Sequence, residues 1–377
     1  MIKSQDKHLH IISFDIPVPA NYGGAIDIYY KLTAFKEIGV NIHLHCFMYD
    51  RKQAKELDGI CYSTHYYKRN ISKTNLFKRR PYIVATRASE ELMRTLMQDE
   101  HPILFEGLHS CYYLNDRRLK KRRKIVRTHN IEHNYYENLA KVEKNLFKRY
   151  YFSNETSKLK RYEKILRYAD GIAAISQNDK KYLKSLYHNV ERISAFHPHE
   201  KITIKENKGD YVLYHGSLEV GENNEAALYL VNEIFNDIDI PLIIAGSKPL
   251  GILKETVNKY NNIKLRQDIN TKEIYDLIAN AQINILPTFQ STGVKLKLLS
   301  SLFTGRHCVV NTPMIENTGL EALCSIKDNS LDIKNEIKRL FDIPFTSVDI
   351  AKRKEILHEN GFSNQYNIQK LCRMLFE

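Results

Sequence analysis

The chain has 377 residues, 43% of them hydrophobic and 27% charged, with a formal net charge of +13 and a pI near 9.2. That length exceeds one ordinary hydrophobic core, so two domains are expected. No run of about 18 apolar residues is present, which argues against a membrane-spanning helix, and residues 1–20 lack the charged-then-apolar pattern of a signal peptide.

The first half alternates strands and helices. Leu9–Ile16 reads as a strand, followed by a loop with Pro17, Pro19, Gly23 and Gly24 and a helix over Ala25–Lys36 closed by Gly39. Strand Val40–Phe47 follows. Beyond a basic segment of no clear pattern, Ile103–Phe105 and Lys124–Arg127 read as strands, and Val142–Tyr168 as one long helical stretch. Gly171–Ile175, helix Gln177–Leu186 and strand Val190–Ser194 complete the series. The polar segments 196–200 and 205–209 mark a boundary. The expected domains are 1–200 and 201–360, with 361–377 a terminal helix returning to the first domain.

The alternation restarts with strand Tyr211–Tyr214, helix Asn223–Phe235, strand Leu242–Ala245, helix Leu250–Tyr260, strand Ile263–Leu265 and helix Thr271–Ala279. Strand Ile283–Leu286 then runs into a small-residue loop, a helix after Gly293 and strand Cys308–Val310. Such alternation implies α/β architecture with parallel, doubly wound sheets and right-handed crossovers. Two such domains in succession are expected to face a central cleft.

The loop and helix after Leu286 carry the strongest chemical signal. A helix N-terminus presents N–H groups and partial positive charge to an anion. Gly293 permits close backbone approach, and Lys295 and Lys297 add full charges. This is the layout of a diphosphate pocket. GxGxxG and GxxxxGK[ST] are both absent, which argues against nicotinamide-dependent enzymes and P-loop kinases.

Three basic clusters hold much of the excess charge: Lys78–Arg80, Arg117–Lys124, and Lys141–Arg161 interleaved with Phe147, Tyr150, Tyr151 and Phe152. They suit an anionic membrane surface or phosphorylated substrates. Nucleic acid is not expected, because no nucleic-acid module accompanies the charge. The pairs His8/His10, His43/His45 and His197/His199 have HxH spacing but no third ligand nearby in sequence, so they read as structural. Asp237-Ile238-Asp239 reads as a solvated turn. The six cysteines lack CxxC spacing and read as reduced thiols of a cytoplasmic protein.

Five segments in this order resemble a GT-B nucleotide-sugar glycosyltransferase, most closely the retaining family 4. They are Pro19-Ala20-Asn21-Tyr22-Gly23-Gly24-Ala25; Ile125-Val126-Arg127-Thr128-His129-Asn130; Tyr168 to Ser176; Tyr214-His215-Gly216-Ser217-Leu218 with Asn223 to Ala227; and Ile243 to Ser247 with Gly293 to Gly305. The resemblance implies two Rossmann-like domains, an N-terminal one for the acceptor and a C-terminal one for the donor. It implies a nucleoside-diphosphate sugar as donor and a saccharide or lipid-linked saccharide as acceptor, in cell-surface polysaccharide or glycoconjugate assembly. It implies no metal and no cofactor, with the protein cytoplasmic or peripheral at the inner face of the membrane. Gly23, Gly24, Gly216, Ser217, Gly246, Gln290, Thr292, Gly293, Lys295, Lys297 and Ser300 then lie around the donor, and His129 at the reaction centre.

His129, Glu106 and Glu132 are the candidate catalytic residues. For an inverting enzyme Glu106 or Glu132 is the candidate base; for a retaining one His129 positions the donor sugar or acceptor. The chain departs from family 4 where a ribose-binding glutamate is usual, since Ser300 follows Lys297-Leu298-Leu299. An earlier acidic position is Gln290, and no Arg…Lys pair opens the donor domain. A catalytically silent nucleotide-sugar-binding relative or scaffold, and a GT-B nucleotide-sugar epimerase, are the alternatives.

Overall fold

The computed structural model describes residues 6–143, 145–289, 295–316 and 318–377. They form two compact units, one within residues 1–198 and 361–377, the other within 199–291 and 295–360.

The first unit holds strands β1 (His8–Ser13), β2 (Asn41–Met48), β3 (Ser63–Lys68), β4 (Ile103–Glu106), β5 (Lys124–Thr128), β6 (Gly171–Ala174) and β7 (Val190–Arg192). All pair in parallel, in the order β3-β2-β1-β4-β5-β6-β7. Strand periodicity divides the side chains between two cores. Leu9, Ile11, Ile42, Leu44 and Cys46 pack under helix Gly23–Glu37 and the terminal helix Asn364–Phe376, against Leu32, Phe35, Ile368 and Leu371. Ile12, Phe47, Phe105 and Val126 face the other way, with Leu92, Leu96 and Leu159.

The second unit holds β8 (Val212–His215), β9 (Leu242–Gly246), β10 (Ile263–Gln267), β11 (Ile283–Leu286), β12 (His307–Val310) and β13 (Ser325–Ile326). These too are parallel, in the order β10-β9-β8-β11-β12-β13. Both orders reverse direction at one point, between β1 and β4 and between β8 and β11. Loops leave those neighbouring strand ends in opposite directions there, which opens a crevice for ligands.

Several local expectations need correction. β3 and the short β13 escape the sequence pattern, β3 because Ser63-Thr64-His65-Tyr66-Tyr67-Lys68 mixes polar and aromatic residues. The stretch 142–168 is not one helix. Helix Glu132–Val142 ends at extended Glu143, and the Asn145 carboxamide accepts from the Phe147 and Lys148 N–H groups, both at 3.1 Å, to start helix Leu146–Tyr162. Lys144 lies outside the described residues.

The Arg117–Lys124 cluster is not a uniform cationic patch. Arg122 and Lys124 are buried and donate to backbone carbonyls of Leu96, Asp99, His101 and Leu114. Arg118 pairs with Asp116 at 2.9 Å. All six cysteines carry free thiols. Among the described residues no helix is long and apolar enough to cross a membrane.

Candidate active site

In the first unit the reversal point gathers charge. Glu106 is the last residue of β4, and His129 follows the end of β5. Helix Gly23–Glu37, entered from the loop after β1, brings Asp27 and Lys31 to the same place, four residues apart on one buried face. Lys31 Nζ donates to Glu106 at 2.7 and 2.9 Å and to Asp27 at 2.9 Å. Arg127 Nη2 donates to Asp27 Oδ1 at 2.9 Å. His129 Nε2 lies 2.9 Å from Glu106 Oε2, and because a carboxylate only accepts, this nitrogen carries the proton. Two carboxylates face an ammonium and a guanidinium, so the buried cluster balances its charge.

That balance sets the titration. Burial alone would raise Asp27, but Arg127 and Lys31 hold it well below the usual carboxylate range. Burial would also raise Glu106; the Lys31 ammonium and the His129 hydrogen bond pull it below its ordinary value. Ligand atoms of Asp27, Glu106 and His129 lie within 4.8 Å of one another, as in a metal site. Lys31 Nζ already neutralises both carboxylates, so an ion there would have to displace a buried ammonium.

Glu132 opens helix Glu132–Val142 but neither caps it in solvent nor faces water; it is 4% exposed. Burial pushes its carboxyl up to about 8, with Arg87 opposing and Asp179 adding. Glu132 Oε1 and His109 Nδ1 face each other at 3.7 Å, and neither has a hydrogen-bond partner among the described residues. Gly107 lies between this pair and His129 at φ +70°, the left-handed region. A Cβ there would stand 3.1 Å from His109 Nδ1 and 3.7 Å from His129 Cδ2. Glu106 is ion-paired and therefore weakly basic, while burial raises the Glu132 carboxyl toward the range in which a general base works.

Gly23 and Gly24 form the first turn of their helix, and no side chain caps it. A Cβ on Gly24 would lie 2.7 Å from Phe14 Cζ. The uncapped helix start lies at the β1 side of the reversal point, where an anion is favoured.

In the second unit the reversal point is built from the loops after β8, β9 and β11. Gly216 and Ser217 follow β8, and Gly246 ends β9. A Cβ on Gly246 would fall 1.9 Å from the Gly216 carbonyl oxygen, so the two loops touch and only glycine fits. Helix Leu296–Thr304 begins just after Lys295 with no side-chain cap. Lys297 Nζ donates to Asn223 Oδ1 at 3.0 Å and lies 5.3 Å over the Tyr214 ring. Asn223 Nδ2 in turn donates to the Ser217 carbonyl at 3.0 Å. Burial drives the Lys297 ammonium down to about 8, against the pull of Glu222 and with Lys295 adding. Burial also lowers Lys295. Two half-buried lysines beside one carboxylate, itself bonded to Thr288, suit an incoming anion.

Ser300 Oγ engages His199 Nε2 at 3.0 Å. Gln290, Thr292 and Gly293 lie outside the described residues. Sequence reasoning missed Asp27, Lys31, Arg127, Glu222 and the bridging role of Asn223. Asp27 and Lys31 at i and i+4 look like a surface ion pair until the helix is docked.

No family model matches the chain. A Klebsiella pneumoniae protein described as "Uncharacterized 44.6 kDa protein in cps region" is 26% identical, covering 97% of this chain and 98% of that protein. Among solved structures, TarM aligns at TM-score 0.65 and 10% identity over 100% of both chains. WaaG, a glycosyltransferase involved in lipopolysaccharide biosynthesis, aligns at 0.64 and 10%, covering 98% of this chain and 99% of WaaG. Sucrose-phosphate synthase from Thermosynechococcus elongatus aligns at 0.63 and 12%, covering 97% and 94%. The chain has the GT-B fold of these glycosyltransferases, with two parallel-stranded Rossmann-like units.

Proposed function

We propose that this protein is a glycosyltransferase. It moves a sugar from a nucleoside-diphosphate sugar to a saccharide or lipid-linked acceptor, in cell-surface polysaccharide or glycoconjugate assembly. The observation that carries the reading is Lys297, half-buried at the sheet reversal of the second unit and held toward the Ser217 loop by Asn223. Together with Lys295 and an uncapped helix start, it offers a leaving diphosphate the stabilisation that glycosyl transfer needs. The GT-B fold and WaaG's role in lipopolysaccharide biosynthesis support the same reading. The first unit's cluster around His129 serves the reacting sugar and acceptor. In a retaining enzyme His129 would position the donor sugar or acceptor; in an inverting one Glu106 or Glu132 would serve as the base.

The test is a panel of UDP-, GDP-, TDP- and ADP-sugars screened for thermal stabilisation and transfer. A ligand at about a hundred times its dissociation constant stabilises by roughly 2.7 kcal/mol. No response from any member rejects the proposal. Lys297→Ala should weaken nucleoside-diphosphate binding about ten- to a hundredfold, the loss of one charge-assisted contact. Calorimetry showing unchanged affinity would remove Lys297 from the site. Transfer should also persist in excess EDTA, since lysines and helix N–H groups take the metal's role; loss restored by manganese or magnesium would contradict this.

A catalytically silent nucleotide-sugar binder is the second reading. Ser300 favours it, because its hydroxyl is committed to His199 where family 4 usually has a carboxylate for the ribose. Stabilisation by a nucleotide sugar without transfer to any acceptor would select it.

We further infer a peripheral membrane position. Helix Leu146–Tyr162 exposes Leu146, Phe147 and Tyr150 beside Lys148 and Arg149, Phe147 being 88% exposed. Phe77, 89% exposed, precedes Lys78 and Arg79. Aromatic side chains beside cations suit an anionic interface. The protein should sediment with anionic vesicles at low salt and be released at about 1 M, where screening shortens to about 3 Å. Equal recovery with neutral vesicles would leave this charge a solubility feature.

A further inference from the structure

We propose that His8, His43 and His101 form a binding site for a borderline divalent transition-metal ion such as zinc, at the N-terminal edge of the first unit's sheet. The two HxH pairs lie on neighbouring strands in register, His10 opposite His43, so all four rings project from one face. His101 arrives just before β4, on the other side of β1. The result is a row of closely spaced rings: His8 to His43 at 5.2 Å between centroids, His8 to His101 at 4.8 Å, His10 to His45 at 5.1 Å.

The inner pair is saturated. His10 bonds His45 and Asp99, and His45 bonds His10 and Tyr67. In the outer trio His8 and His43 are also engaged through both ring nitrogens, but one of those bonds is the one they share, and an ion could take its place. His8 Nδ1 and His43 Nε2 lie 2.9 Å apart, and the ring of His101 makes no hydrogen bond among the described residues. One ligand atom from each of the three fits within 4.8 Å of the others. Two imidazole nitrogens on a tetrahedral zinc stand about 3.3 Å apart, so His8 and His43, whose nitrogens now meet end to end at 2.9 Å, would have to move apart and turn toward the ion. The ion would replace the proton these two rings share.

Outer partners hold the ligands in place. His43 Nδ1 lies 2.8 Å from Ser63 Oγ, and Asn41 Nδ2 lies 3.4 Å from His8 Nε2. Such contacts fix ring orientation and tautomer at metal sites. All three rings are half-buried, which leaves an entry path and a fourth position for water. An all-imidazole donor set selects zinc, copper or nickel over magnesium or calcium. The site lies at the end of β1 opposite the reversal point, about 17 Å along the strand, so it is separate from transfer. Its ligands come from three segments, which an ion would clamp together.

The test uses untagged, chelator-stripped full-length protein titrated with Zn²⁺ in a calorimeter, with Co²⁺ absorption reporting geometry. The expected result is one equivalent bound per chain and a higher melting temperature. His101→Ala, outside any strand and half-exposed, should weaken binding more than tenfold while the metal-free melting temperature stays unchanged. His43→Ala should weaken binding likewise, at some cost to the metal-free melting temperature because its bonds to His8 and Ser63 are lost, and the exposed control His188→Ala should leave binding intact. Absence of saturable binding overturns the proposal. So does equal binding by the His101 and His43 variants, or loss of the site in His129→Ala, which would put the ion in the buried cluster.

Discussion

His129→Ala is expected to lower turnover about a hundredfold or more, while nucleoside-diphosphate affinity changes little. The side chain sits at the β5 end of the sheet reversal, 9% exposed, with its Nε2 proton committed to Glu106. Phe14 packs its ring edge-on at 5.4 Å, so orientation is fixed before any ligand arrives. Preorganised groups of this kind act mainly on the charge that develops in the transition state, which is why the loss should appear in kcat. His129→Gln keeps a donor for Glu106. It should recover stability without recovering turnover if the imidazole itself meets the sugar or acceptor. Activity near wild type in His129→Ala would make the residue structural.

The fold was legible because its signals are local. Strand Ile283–Leu286 has the bounds its apolar run suggests, and the helix after it starts within three residues of Gly293. The place of Lys297 at the start of that helix was legible for the same reason: a strand, a small-residue loop and a basic helix start are contiguous in the chain. The first unit's site was not. Asp27, Lys31, Glu106, Arg127 and His129 span about a hundred residues, and only the β1/β4 reversal brings them together. Arg127 inside a strand gives no sign that Asp27 will neutralise it. The histidine pairs show the same limit. Their missing third partner, His101, stands 58 residues beyond His43 and joins them only across β1.

Lys31→Met is expected to destabilise the first unit by about 3–5 kcal/mol, the usual cost of leaving a buried charge without its partner. The substitution keeps the volume and removes the ammonium. Glu106 then keeps only His129, and Asp27 and Glu106 face each other with Arg127 as the one remaining full positive charge in their network. Folded-state repulsion replaces attraction, and at neutral pH Glu106 must either stay charged at high cost or take up a proton. The double variant Lys31→Met/Glu106→Gln should therefore recover much of the loss, because neither charge is then left alone. The pH dependence has a definite sign. Asp27 and Glu106 have depressed folded-state values, so their contribution is present above about pH 4 and is lost as pH falls through the folded values. The gap between wild type and Lys31→Met should accordingly narrow on acidification. Urea unfolding of the single and double variants at pH 7 and at about pH 2.5, below the ordinary carboxylate range, measures all of this. A single-variant cost below about 1 kcal/mol, unchanged between the two pH values, would mean that the cluster does not hold its charges as assigned. A double variant no more stable than the single would mean that Lys31 acts through packing alone.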